Sequence, residues 1–148
     1  MKQTINPSGV FNPETHKTID PNGLPWSQAC KASGSFLYVS GQTATDAKGR
    51  ILHEGDILRQ TEVALNNLKK IIEELGLEMD SIVQLMWFVT DAAKFYESGA
   101  STLRRKYLPK RGYPTSTLVQ IVRLADPAAM VEVQAVAVYE EKKKRKGR

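Results

Sequence analysis

The chain has a single cysteine, Cys30, so no disulfide can form within it. That thiol has no evident base partner and is expected to be an inert small residue. Histidine is scarce as well. His16 and His53 stand alone in polar turns, far from metal-ligand spacing, so no metal site is expected. No apolar run approaches the ~18 residues that a membrane-spanning helix needs. The opening MKQTINPSGV lacks the basic and apolar regions of a secretory signal. No glycine-rich phosphate loop follows a strand, so no nucleotide cofactor is expected. Together these absences lead to the expectation of a soluble, cytoplasmic protein that binds no membrane.

What is present is ordinary for one globular domain: 148 residues, 41% of them apolar and 25% charged. The formal net charge of +5 is misleading. The last stretch, EEKKKRKGR, carries Lys142, Lys143, Lys144, Arg145, Lys146 and Arg148 against two glutamates. Without it, 15 basic residues face 14 acidic ones. A near-neutral body offers no basic stripe for nucleic acid, which leaves only weak contacts of the tail. The reading is therefore a single domain over 1–139 and a disordered basic tail over 140–148.

Four prolines between residues 6 and 26 make an irregular arm of the first 25 residues. SFLYVSG (35–41) reads as a strand, and TDAKGRI (45–51) supplies turn residues for a hairpin. From Ile57 to Leu75 apolar residues recur at three- and four-residue steps, after Asp56 and before Gly76. That pattern predicts a capped amphipathic helix. SIVQLMWFVT (81–90) is a strand, and a second helix is expected over 92–107 with Asp91 as its cap. GYPTSTLVQIVRL (112–124) and MVEVQAVAVY (130–139) supply the last two strands. The order β-β-α-β-α-β-β implies an α+β fold, one mixed sheet with both helices packed on a single face.

The face left open then becomes informative. In the last strand Val131, Val133, Ala135 and Ala137 alternate toward the helices, leaving Met130, Glu132, Gln134, Val136 and Val138 on the other side. In 81–90, Ile82, Met86 and Phe88 join that second face. It is too apolar for water, which predicts a homo-oligomer with a few polar groups held inside its interface.

Five stretches in register resemble one family. PWSQACKASGSFLYVSGQ (25–42) is similar to the N-terminal signature of the YjgF/Rid reactive-intermediate deaminases, also called endoribonuclease L-PSP proteins. DILRQTEVALNNLKKIIEELG, VTDAAKFYE, YPTSTLVQIVRL and VEVQAVAV follow in the family's order, over about residues 20–139. The resemblance implies a chorismate-mutase-like trimer with small-molecule sites in clefts between subunits. In its best-known branch the substrate is a 2-imino or 2-enamino acid, hydrolysed to a 2-keto acid and ammonia without a cofactor. Carried over, the water-positioning glutamate falls on Glu132, the pocket serine and glycine on Ser40 and Gly41, and the lid tyrosine on Trp26. Phe88 and Thr115 complete the substrate-binding set. The branch's carboxylate-clamping arginine falls on Ser116.

That substitution shapes the expected chemistry. A serine cannot reproduce a bidentate guanidinium–carboxylate pair, a loss of roughly 2–4 kcal/mol in a water-poor cleft. Standard 2-imino acids are therefore expected to be poor substrates, improved by an arginine restored at 116. Arg104 and Arg105 are the groups that could otherwise take over the clamp. Glu132 either positions water or ligand or forms a salt bridge across subunits, since a carboxylate on an apolar strand needs partners. Ser40 fits a pocket or a turn, Ser116 a pocket wall or a backbone cap, Trp26 a lid or a staple for the arm. Arg123 reads as structural. Two other readings stand beside the deaminase: a non-catalytic metabolite-binding trimer, and a ribonuclease or translation inhibitor, for which no His/Lys/Glu triad is apparent.

Overall fold

The structure is a computed structural model and describes residues 1–17, 22–109 and 112–141, which leaves the lysine-rich run 142–148 outside it. Its centre is a four-stranded mixed sheet of β3 (Ser35–Gln42), β4 (Ile82–Val89), β5 (Thr115–Gln120) and β6 (Val131–Tyr139), in the order β3-β6-β4-β5. β6 is antiparallel to both neighbours, and β4 runs parallel to the edge strand β5. Helix α1 (Ile57–Glu74) lies across β3 and β6. Asp56 caps it, its Oδ1 accepting from the Arg59 N–H at 3.0 Å. Gly76 ends it at φ +68°, a left-handed conformation that glycine adopts without strain. Ala64, Leu65, Leu68 and Ile72 of α1 are fully buried against Leu85, Trp87, Val133 and Ala135 of the sheet. The α+β architecture and its helix-covered face are those the spacing implies.

Four local expectations change. The N-terminal arm is not wholly irregular: β1 (Lys2–Ile5) pairs antiparallel with β2 (Ala29–Ala32) as a separate two-stranded ribbon. No turn signal joins two segments so far apart in sequence, so periodicity could not reveal the pairing. Residues 45–51 turn back as expected, with the Asp46 N–H donating to the Arg50 carbonyl and the Leu52 N–H to the Ala44 carbonyl around the bridge Thr45↔Ile51, but they add no strand to the sheet. Asn67 of α1 donates instead to the carbonyls of Thr43 and Thr45, at 3.2 and 2.9 Å.

The helix expected over 92–107 breaks into α2 (Ala92–Glu97), α3 (Ala100–Leu103) and a 3-10 turn at Arg104–Lys106. The cause is Gly99, left-handed at φ +83°. Finally, Ile82 is buried on the helix side rather than on the open face, since it pairs with Ala137. A bulge between Ile82 and Gln84 shifts the alternation of β4, so that Ile82 and Val83 are both buried.

The open face is apolar as anticipated. Phe36 and Tyr38 of β3 are 45% and 75% exposed, and Met86, Phe88 and Val136 are half-buried beside them.

Candidate functional site

Two separate groups of polar side chains stand out. The first lies on the open face, at the β3 bulge. Val39 pairs with Ala135 and Gln42 with Val133, so Ser40 and Gly41 together oppose Gln134. Bulges of this kind re-aim side chains beside functional sites. Here the vacancy at Gly41 is filled: a Cβ there would fall 1.7 Å from Oε1 of Glu132. Glu132 is half-buried and paired in register with Phe88. Its carboxylate makes no hydrogen bond or ion pair with any described residue of its own chain. Thr115 begins β5 opposite Gln84, its hydroxyl donating to the Val83 carbonyl at 3.2 Å.

Since the obstacle at Gly41 is the end of a flexible side chain, Gly41→Ala should fold but displace the Glu132 carboxylate. Thermal melting should change little, while any activity that needs Glu132 falls by at least about tenfold. An unaffected activity would separate Glu132 from the chemistry.

The second group lies on the helix side. Ser116 pairs with Leu85, not with the open-face residues that flank it in sequence, because neighbours on a strand point oppositely. Its Oγ accepts from Nη1 of Arg104 at 2.8 Å. Arg104 also donates from Nε to the Ser101 carbonyl at 2.7 Å, and its guanidinium lies 5.7 Å from the Trp87 ring centroid. It is 5% exposed and pairs with no carboxylate among the described residues. Burial lowers its pKa to about 10, so it remains cationic at neutral pH.

Beside it opens a cleft of about 420 Å³ lined by Leu24, Pro25, Trp26, Tyr96, Ser101 and Arg104. The segment carrying Trp26 is pinned in place. The Ser27 N–H donates to the Pro114 carbonyl at 3.1 Å, and its Oγ to Glu14 at 2.7 Å. Arg105 reaches the carbonyls of Asn22 and Gly23.

The anticipated residues are thus divided. Ser40, Gly41, Glu132, Phe88 and Thr115 share the open face; Trp26 and Ser116 belong with the cleft side. Ser116 lies opposite Leu85 and Glu132 opposite Phe88, three steps along β4 and on opposite faces, so one chain does not join them. An arginine placed at 116 would meet the guanidinium already there. The signal for Arg104 was available, since a basic pair closes a helical stretch that Gly99 interrupts. Its direction was not, because that depends on the break.

Arg123 is exposed, without an ion pair among the described residues. Burial pushes the Cys30 thiol up in pKa, away from thiolate chemistry. Among the described residues no three His, Cys, Asp or Glu side chains converge on a metal position, and no helix is long and apolar enough to cross a membrane.

Residues 16–139 match the family model described as Endoribonuclease L-PSP. A RutC family protein of Pyrococcus abyssi is 30% identical over 126 residues, which is 85% of this chain and 94% of that one. A Yersinia pestis protein, YyfB, described as a conserved Rid family member of unknown function, superposes with a TM-score of 0.71 at 25% identity, covering 93% of this chain and 98% of its own. Escherichia coli TdcF, solved with bound serine, gives a TM-score of 0.60 at 28% identity, over 78% of this chain and 88% of TdcF.

Proposed function

Because the chain belongs to the endoribonuclease L-PSP, or YjgF/Rid, family, we propose that it is a hydrolytic deaminase of a small reactive enamine or imine, acting in clefts between the protomers of a homotrimer. The observation that carries this reading is Glu132: a half-buried carboxylate beside a glycine bulge, with no partner among the described residues of its own chain. Such a group is available to hold a water. In the reaction an enamine first tautomerises to its imine, and water adds to the carbon of C=N while Glu132 takes its proton. The nitrogen is protonated, the C–N bond breaks, and a carbonyl compound and ammonia leave. No cofactor enters the balance.

The apolar open face supports the assembly. Copies of the chain packed on their open faces would enclose Phe36, Tyr38 and Glu132 between protomers. The serine bound to TdcF supports a ligand the size of an amino acid in this fold. Light scattering should give three times the 16.5 kDa chain mass. A monomer would remove both the interface and the shared cleft.

The activity test generates enamines in situ from amino acids and follows ammonia release with and without the protein. Faster release supports the deaminase, with 2-aminoacrylate and 2-aminocrotonate cleared more slowly than larger substrates. Saturable binding without acceleration would favour a metabolite-binding trimer in the cytoplasm instead.

A further inference from the structure

We propose that Arg104, held against Ser116, is the carboxylate anchor of this chain's cleft, and that the acid it binds carries a bulky apolar side chain. The inference rests on the reading of the cleft as a substrate site, and it names the substrate's charge and shape.

A guanidinium removed from water normally has a carboxylate beside it, because burying an unpaired cation is costly. Arg104 is 5% exposed and has only neutral partners: the Ser101 carbonyl, the Ser116 hydroxyl and the face of Trp87. These contacts fix the plane of the group. They use the Nε and Nη1 sides, and Nη2 makes no hydrogen bond with a described residue. A guanidinium held so firmly, with donors to spare at the wall of a cleft, is organised in advance for an anion. Ser116 adds to it. Its Oγ accepts from Nη1 of Arg104 and so helps to hold the guanidinium in one orientation at the cleft wall. Ser116 thus positions the donor that Arg104 presents to the cleft.

The rest of the cleft sets the shape of the acid. Leu24, Pro25, Trp26 and the Tyr96 ring give it largely apolar walls, and about 420 Å³ is far more than a three-carbon acid fills. A branched or aromatic side chain would cover those walls, whereas a small one would leave them wet. A single guanidinium also matches a monoanion better than inorganic phosphate.

The experiment is calorimetric titration of the full-length protein with unreactive 2-keto acids, so turnover plays no part in it. 4-Methyl-2-oxopentanoate should bind at least about tenfold more tightly than pyruvate, and about 30-fold more tightly than its own methyl ester. Arg104→Met should lose most of that preference for acid over ester, and Ser116→Ala part of it. The acid–ester comparison is made on the unmodified protein and stands even if Arg104→Met fails to fold. Equal binding of acid and ester would overturn the anchor. So would tight binding of inorganic phosphate in competition with the acid, or a folded Arg104→Met protein that binds as before. Binding as expected in a protein that releases no ammonia from enamines would sustain the anchor and remove the deaminase. Turnover indifferent to Arg104 would do the reverse.

Discussion

Glu132→Gln is expected to reduce enamine hydrolysis by about 10²- to 10⁴-fold, the range general acid–base groups supply. The substitution keeps the length and shape of the side chain beside Gly41, so the bulge of β3 and the pairing with Phe88 should persist. What is lost is a proton acceptor for the attacking water. The fold should not suffer, because the carboxylate has no hydrogen bond or ion pair among the described residues of its chain to lose. Turnover, melting temperature and oligomer mass should be measured together. A large loss of turnover with unchanged mass and melting identifies a chemical role. If the mass falls instead, Glu132 is a salt-bridge residue between protomers and the catalytic assignment fails.

Trp87→Ala should cost about 3–5 kcal/mol of stability, the usual range for an aromatic removed from a packed core. Trp87 is fully buried on the helix-covered face of β4 and packs against Phe95 with ring centroids 5.7 Å apart. Its ring also backs the Arg104 guanidinium. The substitution therefore opens a cavity and releases one wall that fixes the proposed anchor. Denaturant unfolding should show the midpoint falling sharply, with acid binding weakened in whatever protein remains folded. Trp87→Phe is the informative companion. The indole N–H has no hydrogen-bond partner within the described structure, so deleting it removes an unsatisfied donor and should cost much less than alanine. If the alanine variant melts like the parent, the core packing described above is wrong.

The long helix and the strand pattern were legible because both depend on local periodicity. Apolar positions recurring from Ile57 to Leu75, with Asp56 before them and Gly76 after, describe α1 almost to its ends. The alternation of β6 separates the core from the open face along its length, with Val138 on the open face opposite Phe36 although little of it is exposed. Gly99 was visible in the sequence too, but an isolated glycine in a helical pattern does not say whether the helix tolerates it or breaks. Here it breaks, and the basic pair at 104–105 turns toward β5 and the arm.

By itself, then, the sequence determined the fold class and the family, and it nominated candidate residues on the last strand and at the β3 bulge. These follow from periods of two and 3.6 residues and from motifs held in register. Tertiary structure decided which of those residues meet. A strand sends Ser116 and Thr115 to opposite faces, so these adjacent hydroxyls do not share one site. The segments 2–5 and 29–32 pair across 24 or more residues, and Arg104 reaches Ser116 only because α2 ends early. Such contacts depend on where separate elements come to rest against one another, and no local pattern of residues encodes that position.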